Sequence, residues 1–370
     1  MKKNKIKIKT VNSDYSVYVG SNLIKNFGDI LKKEKILFNK FLLVIDNNVD
    51  KKNISLLKTP DRKQKKYIYN FMSSERNKNY KSVEKILKLL LKHNFSRNDC
   101  IIAMGGGITG DLVGFAASIY KRGIKFINIP TTLLAQVDAS IGGKTGINEK
   151  SFGKNLIGTF FQPSLVLSDT IFLKTLSKKN LICGYAEIFK HSLIDSKSFF
   201  NFLDQNYKKI LSLNSRYLIK AILNSCKIKK KVVEKDIYEN EYRKVLNLGH
   251  TFGHAYEAAA GFGKNLNHGE GVLLGIKSAA IFSLEHKYIS KNNYLKIIGH
   301  LEKINFDLKL KKYFRIKDID RLLSFMMNDK KNKTSRINLI LLKNIGRPII
   351  NKSFSRIKLK KFFKEKLIYI

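Results

Sequence analysis

Between Arg243 and Gly271 the chain reads RKVLNLGHTFGHAYEAAAGFGKNLNHGEG, and Arg243, Asn247, His250, His254 and Glu257 recur there at steps of 4, 3, 4 and 3 residues. On a 3.6-residue period such spacing predicts one polar stripe along a single helix face. An amphipathic helix normally buries apolar side chains and shows Lys or Glu to water. This stripe instead carries Arg, Asn, His, His and Glu, groups that hold metals, phosphates and hydroxyls. His268 follows in the tripeptide HGE, just before an apolar run that begins at Val272. Two histidines four residues apart can both ligate one Zn²⁺, or one can ligate while the other serves as general acid or base. The spacing alone leaves both open.

A carboxylate to complete such a site is offered by CGYAEIFKH, where Glu187, Lys190 and His191 share a helix face at i, i+3 and i+4. Glu187 with two histidines makes the His₂Glu donor set of an open catalytic zinc site; an exposed helix acid is the plain alternative. Gly105, Gly107 and Gly110 satisfy GxGxxG, with Asp111 directly after. Glycines there let backbone N–H groups approach a pyrophosphate at a helix N-terminus, or let a strand and helix pack closely. No acid ends the next strand, so the acid that could hold an adenosine ribose is Asp46, at the end of an earlier one. A second glycine-rich segment, VDASIGGKTGIN, carries Asp138, Lys144 and Asn148, and SFGKN carries Lys154 and Asn155. Lysines delivered from glycine turns suit a phosphate or a hydroxylated substrate. The spacing before GKT is not that of a nucleotide-triphosphate P-loop. Lys227, Lys229, Lys230 and Lys231 read as a solvated face, and Asp329, Lys330 and Lys331 as a surface cluster.

These residues need elements to position them. Tyr15, Val17 and Val19 alternate with polar neighbours as a half-buried strand does. FLLVI (41–45) and CIIAM (100–104) are continuous apolar runs, as in parallel strands buried on both faces. Further strands are expected over 66–71, 126–129 and 165–167, with helices over 81–91 and 109–120. Strands alternating with helices predict an N-terminal Rossmann-like α/β domain with a parallel sheet over residues 1–177. From residue 178 the periodicity is mostly helical, and only INLILL (337–342) looks strand-like. A mostly α-helical C-terminal domain over 178–370 follows, and active sites often lie in clefts between domains.

Composition narrows the function classes. The net charge of +42, from 71 basic against 29 acidic residues, invites a nucleic-acid or membrane-surface reading. The lysines are, however, spread through the whole chain together with Ile and Asn, and no zinc-finger spacing, RNP-type motif or basic arm accompanies them. No specific nucleic acid and no membrane partner is expected. Cys100, Cys183 and Cys226 form no CxxC pair, which suits a reducing compartment and buried thiols. The basic N-terminus lacks the apolar core of a signal peptide, and no run approaches the ~18 apolar residues of a membrane span. The protein is expected to be soluble and cytoplasmic.

Taken together, GGGITGDLVGFAAS, YKRG, PTTLLAQVDASIGGKTGIN, GKNLIGTFFQP, AEIFKH, LNLGHTFGHAYEA, HGE and DKK, in this order, resemble the 3-dehydroquinate synthase family of sugar-phosphate cyclases. They cover most of residues 100–275 and scattered points outside. The resemblance implies an N-terminal NAD domain, a C-terminal helical domain and a site between them. It also implies conversion of 3-deoxy-D-arabino-heptulosonate 7-phosphate to 3-dehydroquinate and phosphate, by NAD-mediated oxidation, phosphate elimination, re-reduction and intramolecular aldol closure. On matching motif positions it makes Glu187, His250 and His268 the ligands of Zn²⁺ or Co²⁺. NAD falls to Asp46, Asn48, Glu75 and Lys78, to the turn Gly105, Gly106, Gly107, Ile108, Thr109, Gly110 and Asp111, and to Thr131, Thr132, Lys144 and Lys154. The segment Phe172, Leu173, Lys174 and Thr175 completes the NAD set. Substrate binding and catalysis fall to Asp138, Lys144, Asn155, Lys190, Lys229, Arg243, Asn247 and His254. Arg122 would come from the second subunit of a homodimer, and Lys330 or Lys331 would also bind substrate. His191 stands where the family often has Tyr or Gly, and is a rival ligand or an outer partner of Glu187. A cyclase closing a different ring, and a zinc- and NAD-dependent polyol dehydrogenase of the glycerol dehydrogenase type, are the rival activities.

Overall fold

Residues 41–45 form the middle of β3 (Lys40–Asp46), and their alternation shows why the run is apolar throughout. Leu43 and Ile45 enter one core with Phe27, Ile102, Ile127 and Leu167. Leu42 and Val44 enter another with Val83, Ile86, Leu112 and Phe126. A parallel strand covered on both faces has no polar side to show. The computed structural model describes residues 4–11, 13–58, 64–261, 265–304, 309–327 and 336–366.

The remaining strands are β1 (Asn4–Lys9), β2 (Asp14–Gly20), β4 (Lys65–Phe71), β5 (Cys100–Gly105), β6 (Lys125–Pro130), β7 (Lys144–Glu149), β8 (Gly153–Phe160), β9 (Leu165–Asp169), β10 (Arg336–Asn344) and β11 (Arg347–Ser355). Six of them join β3 in one seven-stranded sheet, in the order β1-β2-β9-β6-β5-β3-β4. Every neighbouring pair is parallel except β1 with β2. The expected Rossmann-like parallel sheet and the mostly helical C-terminal part are both present. β1 was not expected, although its NKIKIK buries Ile6 and Ile8 in strict alternation. The glycine segments expected as loops form the antiparallel hairpin β7–β8. A Cβ on Gly158 would lie 2.1 Å from the Thr145 carbonyl oxygen, so glycine lets the two strands pair there.

The chain divides into two units: Met1–Leu181 with Leu213–Tyr238, and Ile182–Ser212 with Glu239–Ile370. It passes between them three times, whereas a single boundary at 177/178 assumes one crossing. The helix Ser215–Lys235 belongs with the sheet unit. The second unit holds the helices Lys197–Leu211, His250–Ala259, His268–Glu285, Lys291–Lys303, Ile319–Met327 and Arg356–Lys366, and the hairpin β10–β11. β11 was missed because RPIINKSFS buries only Phe354 fully. Among the described residues no helix is long and apolar enough to cross a membrane. All three cysteines are buried and free.

The polar stripe needs a correction: it is not one helix face. Tyr242–Asn247 is a 3₁₀ turn, Gly249 takes φ +78°, and an α-helix starts only at His250. The break has a packing cause. A Cβ on Gly249 would lie 2.7 Å from the Ile276 backbone nitrogen, and one on Gly253 would lie 2.7 Å from the Gly271 carbonyl oxygen. Glycines therefore let the backbones of His250–Ala259 and His268–Glu285 touch, and the His250 and His268 rings come to 5.6 Å between centroids.

Candidate active site

In the second unit Glu187 projects from the helix Lys178–Asp195, His250 opens one helix and His268 opens another. Asn267 caps the His268 helix in a reciprocal capping box with Glu270, which fixes where that imidazole starts. Glu187 Oε1 lies 3.5 Å from Nε2 of His250 and 3.5 Å from Nε2 of His268. Both carboxylate oxygens are buried, and Oε2 is paired with the Lys190 ammonium. Donors about 2.0–2.1 Å from a tetrahedral zinc stand roughly 3.3–3.5 Å from one another. The three donor atoms all lie within 4.8 Å of each other. Donor type and spacing therefore both fit a His₂Glu metal site. A second group, His254, Glu257 and His268, meets the same spacing and shares His268.

Charge makes the site an acceptor of cations only at the carboxylate. Burial opposes ionisation of Glu187, but the Lys190 ammonium beside it and the neighbouring imidazoles hold its carboxyl well below the ordinary range. Burial, and then Lys190, push His250 well below the usual histidine value, which keeps it neutral as a ligand must be. Burial pulls His268 the same way, but the carboxylates of Glu187 and Glu257 prevail and raise it. His254 sits on the exposed side of the same group, its ring centroid 5.1 Å from that of His250. Arg243 is 2% exposed, and Asn247 donates to Glu239 at 2.8 Å.

The helix that carries Glu187 and Lys190 is pinned by a buried chain. Burial keeps His300 below its ordinary value and hence neutral, so its Nδ1–H donates to Asp204 (3.0 Å) and its Nε2 accepts from the Tyr185 hydroxyl (3.0 Å). Phe189 stacks on the same ring at 4.7 Å. Tyr185→Phe strands a buried acceptor and is expected to cost about 1–3 kcal/mol, measured as a lower urea midpoint at unchanged slope.

The sheet unit gathers most of the residues expected for a dinucleotide. β5 ends at Gly105, Gly106 is the N-cap, and a helix runs from Gly107 to Ile119. A Cβ on Gly105 would meet Thr109 Oγ1 at 2.6 Å and Asp46 Cβ at 2.9 Å, so the acid ending β3 stands against the glycine turn. Asp46 Oδ1 accepts from the backbone and side-chain N–H of Asn48, both at 2.9 Å. Lys78, 4% exposed, reaches Asp111 Oδ2 and Asn155 Oδ1, each at 2.5 Å. Asn148 donates to Glu75 at 2.7 Å and accepts from the Asn155 backbone at 3.0 Å. Lys154 lies 3.3 Å from Glu75. Thr131 donates its backbone N–H to the Gly105 carbonyl, and Thr132 caps the following turn. Lys229 turns inward, 5% exposed, with its ammonium 2.7 Å from Asp138 Oδ1. The solvated-face reading of its lysine run is therefore corrected for Lys229, while Lys227 and Lys231 are exposed.

Comparison with known proteins then decides the family. Residues 68–183 match the family model described as 3-dehydroquinate synthase N-terminal, and residues 184–332 the one described as 3-dehydroquinate synthase C-terminal. A 3-dehydroquinate synthase of Pelagibacter ubique (strain HTCC1062) is 52% identical over 363 residues, 98% of each chain. The chain belongs to the 3-dehydroquinate synthase family. Its fold is shared with 2-deoxy-scyllo-inosose synthase, solved with carbaglucose-6-phosphate, NAD⁺ and Co²⁺, at TM-score 0.84 and 23% identity over 99% of this chain and 100% of that one. The 2-epi-5-epi-valiolone synthase ValA of Streptomyces hygroscopicus subsp. jinggangensis 5008, solved with NAD⁺ and Zn²⁺, superposes at TM-score 0.82 with 22% identity, covering 95% and 96%.

Other residues expected from this family's motifs are placed less tellingly. Phe172 and Leu173 are buried, Phe172 in the sheet core, and only Lys174 and Thr175 of that turn are exposed. Lys144 opens β7 and is exposed. Arg122 is exposed in a turn where Lys121, Arg122 and Gly123 all have positive φ. Lys330 and Lys331 lie outside the described residues. His191 is fully buried behind Glu187 on the same helix. Two residues singled out in the sequence but left out of the metal, NAD and substrate sets stand inside these clusters. Asn148 links Glu75 to Asn155, and Glu257 holds His268 at 2.9 Å. Glu257 was visible as the last member of the stripe, and Asn148 as the end of GKTGIN.

Proposed function

We propose that the chain is a 3-dehydroquinate synthase, a phosphate-eliminating carbon–oxygen lyase that turns 3-deoxy-D-arabino-heptulosonate 7-phosphate into 3-dehydroquinate. What carries the reading is the convergence of Glu187, His250 and His268 in a chain 52% identical to such a synthase along 98% of its length. Glu187, His250 and His268 would hold Zn²⁺ or Co²⁺, both compatible with this donor set. When bound, the metal supplies Lewis acidity toward a substrate hydroxyl, and NAD supplies a reversible hydride acceptor.

The chain's own residues would do the rest. Asp46 and Asn48 would take the adenosine ribose, and the helix N-terminus at Gly105–Asp111 the pyrophosphate. Thr131, Thr132, Glu75, Lys78, Lys144, Lys154 and the turn from Phe172 to Thr175 would complete the NAD site. Lys154, Asn155, Lys190 and Arg243 would orient the substrate phosphate through charge-assisted hydrogen bonds. Asp138, Lys144, Lys229 and Asn247 would fix its hydroxyls and carboxylate. Lys330 and Lys331 are proposed as further substrate contacts. Exposed Arg122 would serve the neighbouring subunit of a homodimer. A reducing, cytoplasmic setting agrees with three buried free thiols.

His254 would move the proton of the reacting hydroxyl. His254→Ala is expected to keep its metal while losing roughly 10²–10⁴-fold in kcat; metal loss in that variant would make His254 a ligand instead. The reading as a whole is tested by the product. Purified protein given the heptulosonate phosphate, catalytic NAD and Zn²⁺ should yield 3-dehydroquinate by NMR. A different carbocycle would move the chain to another cyclase activity.

A further inference from the structure

We propose that Glu257 is a positioning residue for His268, holding the ring's Nδ1–H so that Nε2 faces Glu187 and His250 as a neutral donor. The inference rests on the metal-site reading above and adds to it a residue that is not a ligand.

Two independent features of the structure carry it. The first is the way the ring is divided. Glu257 Oε1 lies 2.9 Å from Nδ1 of His268, while Nε2 of the same ring lies 3.5 Å from Glu187 Oε1. One nitrogen is at hydrogen-bond distance from a carboxylate and the other is at the spacing of a shared ion. A neutral imidazole with a carboxylate on Nδ1 carries its proton there. Glu257 is 8% exposed, so water competes poorly for that bond. His268 is the first residue of its helix, with no preceding helical turn of its own to confine the ring.

The second feature is the space through which Glu257 reaches the ring. A Cβ on Gly271 would lie 2.9 Å from Glu257 Cγ and 3.2 Å from Glu257 Oε1. The second glycine of HGEG thus leaves room for the carboxylate, three residues after the histidine it holds. The rival assignment makes Glu257 a ligand together with His254 and His268, which also lie within 4.8 Å of one another. At 2.9 Å, however, Glu257 Oε1 and Nδ1 stand closer than the roughly 3.3–3.5 Å that separates two ligands of one tetrahedral zinc, and at the distance of a hydrogen bond.

The test is zinc affinity, by competition with a chromophoric chelator, together with ¹⁵N NMR of the His268 ring in the metal-free protein at a pH alkaline enough for the ring to be neutral. Glu257→Leu should weaken zinc about 10–100-fold, the usual cost of losing an outer carboxylate, and His268 should change from a single Nδ1–H tautomer to a mixture. Glu257→Gln, whose amide oxygen still accepts, should lose less and keep the tautomer. Gly271→Ala should also weaken zinc, and should add little on top of Glu257→Leu, because both act through one contact. Wild-type affinity with an unchanged tautomer in Glu257→Leu would overturn the proposal. So would a loss as complete as that of Glu187→Gln, which would make Glu257 a ligand. If Glu187→Gln itself binds zinc normally, the metal-site reading falls, and the tautomer of the metal-free ring still decides whether Glu257 orients His268.

Discussion

Glu187→Ala is expected to lose bound zinc and turnover together. Its carboxylate is 1% exposed, and its Oε1 stands 3.5 Å from two imidazole nitrogens. Glu257, the other carboxylate of the cluster, is held at hydrogen-bond distance from His268 Nδ1, and water is a poor replacement for a buried carboxylate. The loss in affinity should exceed the ~10–100-fold that outer contacts cost, and His250→Ala should behave in the same way. Metal analysis after dialysis, paired with the rate of phosphate release, measures both. Full zinc content in either variant would remove that residue from the ligand set.

Lys190→Met has the second largest expected effect, and it acts on the metal-free protein. Lys190 and Glu187 are 2% and 1% exposed and form a direct ion pair one helical turn apart. Removing one member of a buried pair leaves an uncompensated charge, at a cost of about 3–5 kcal/mol. The pH dependence should weaken as well. In the wild type the Glu187 carboxyl is held below its ordinary value. Its contribution is therefore present above the unfolded-state pKa and lost as pH falls through the depressed folded value. Without Lys190 only the neighbouring imidazoles oppose burial, so the folded pKa rises and the contribution of Glu187 above the unfolded-state pKa shrinks. Urea midpoints across pH, with and without zinc, check this, and zinc should restore much of the loss through binding to the folded state. A Lys190→Met protein with wild-type stability at neutral pH would show that the pair is not a buried charge couple.

The elements buried on two faces were the most legible. FLLVI and CIIAM announce central parallel strands because neither face can carry a polar residue, and the observed sheet places both in its interior. The β7–β8 hairpin gave no such signal. Its strands are glycine- and lysine-rich and β8 is largely exposed, so chemistry was readable there while secondary structure was not. The stripe from Arg243 to Glu257 kept helical spacing across a break. Its residue types were informative, but Gly249 divides it, and only the close approach to Ile276 reveals why. Lys229 could not be separated from its neighbours, because a lysine run carries no mark of which member turns inward toward Asp138. The helix Ser215–Lys235 is amphipathic, and amphipathicity does not say which unit supplies its partner. Glu257 lay in plain view, yet its use depends on His268 arriving from a second helix, which no local spacing encodes.

A 3-dehydroquinate synthase oxidises its substrate, eliminates phosphate and returns the hydride, so NAD is regenerated in every turnover. Phosphate release and nicotinamide absorbance followed together in one reaction, with the heptulosonate phosphate in excess over NAD, test it most directly. The account predicts phosphate in step with substrate consumed and no net accumulation of NADH. NADH building up without phosphate would contradict it, and would mark the protein as a dehydrogenase built on the same fold.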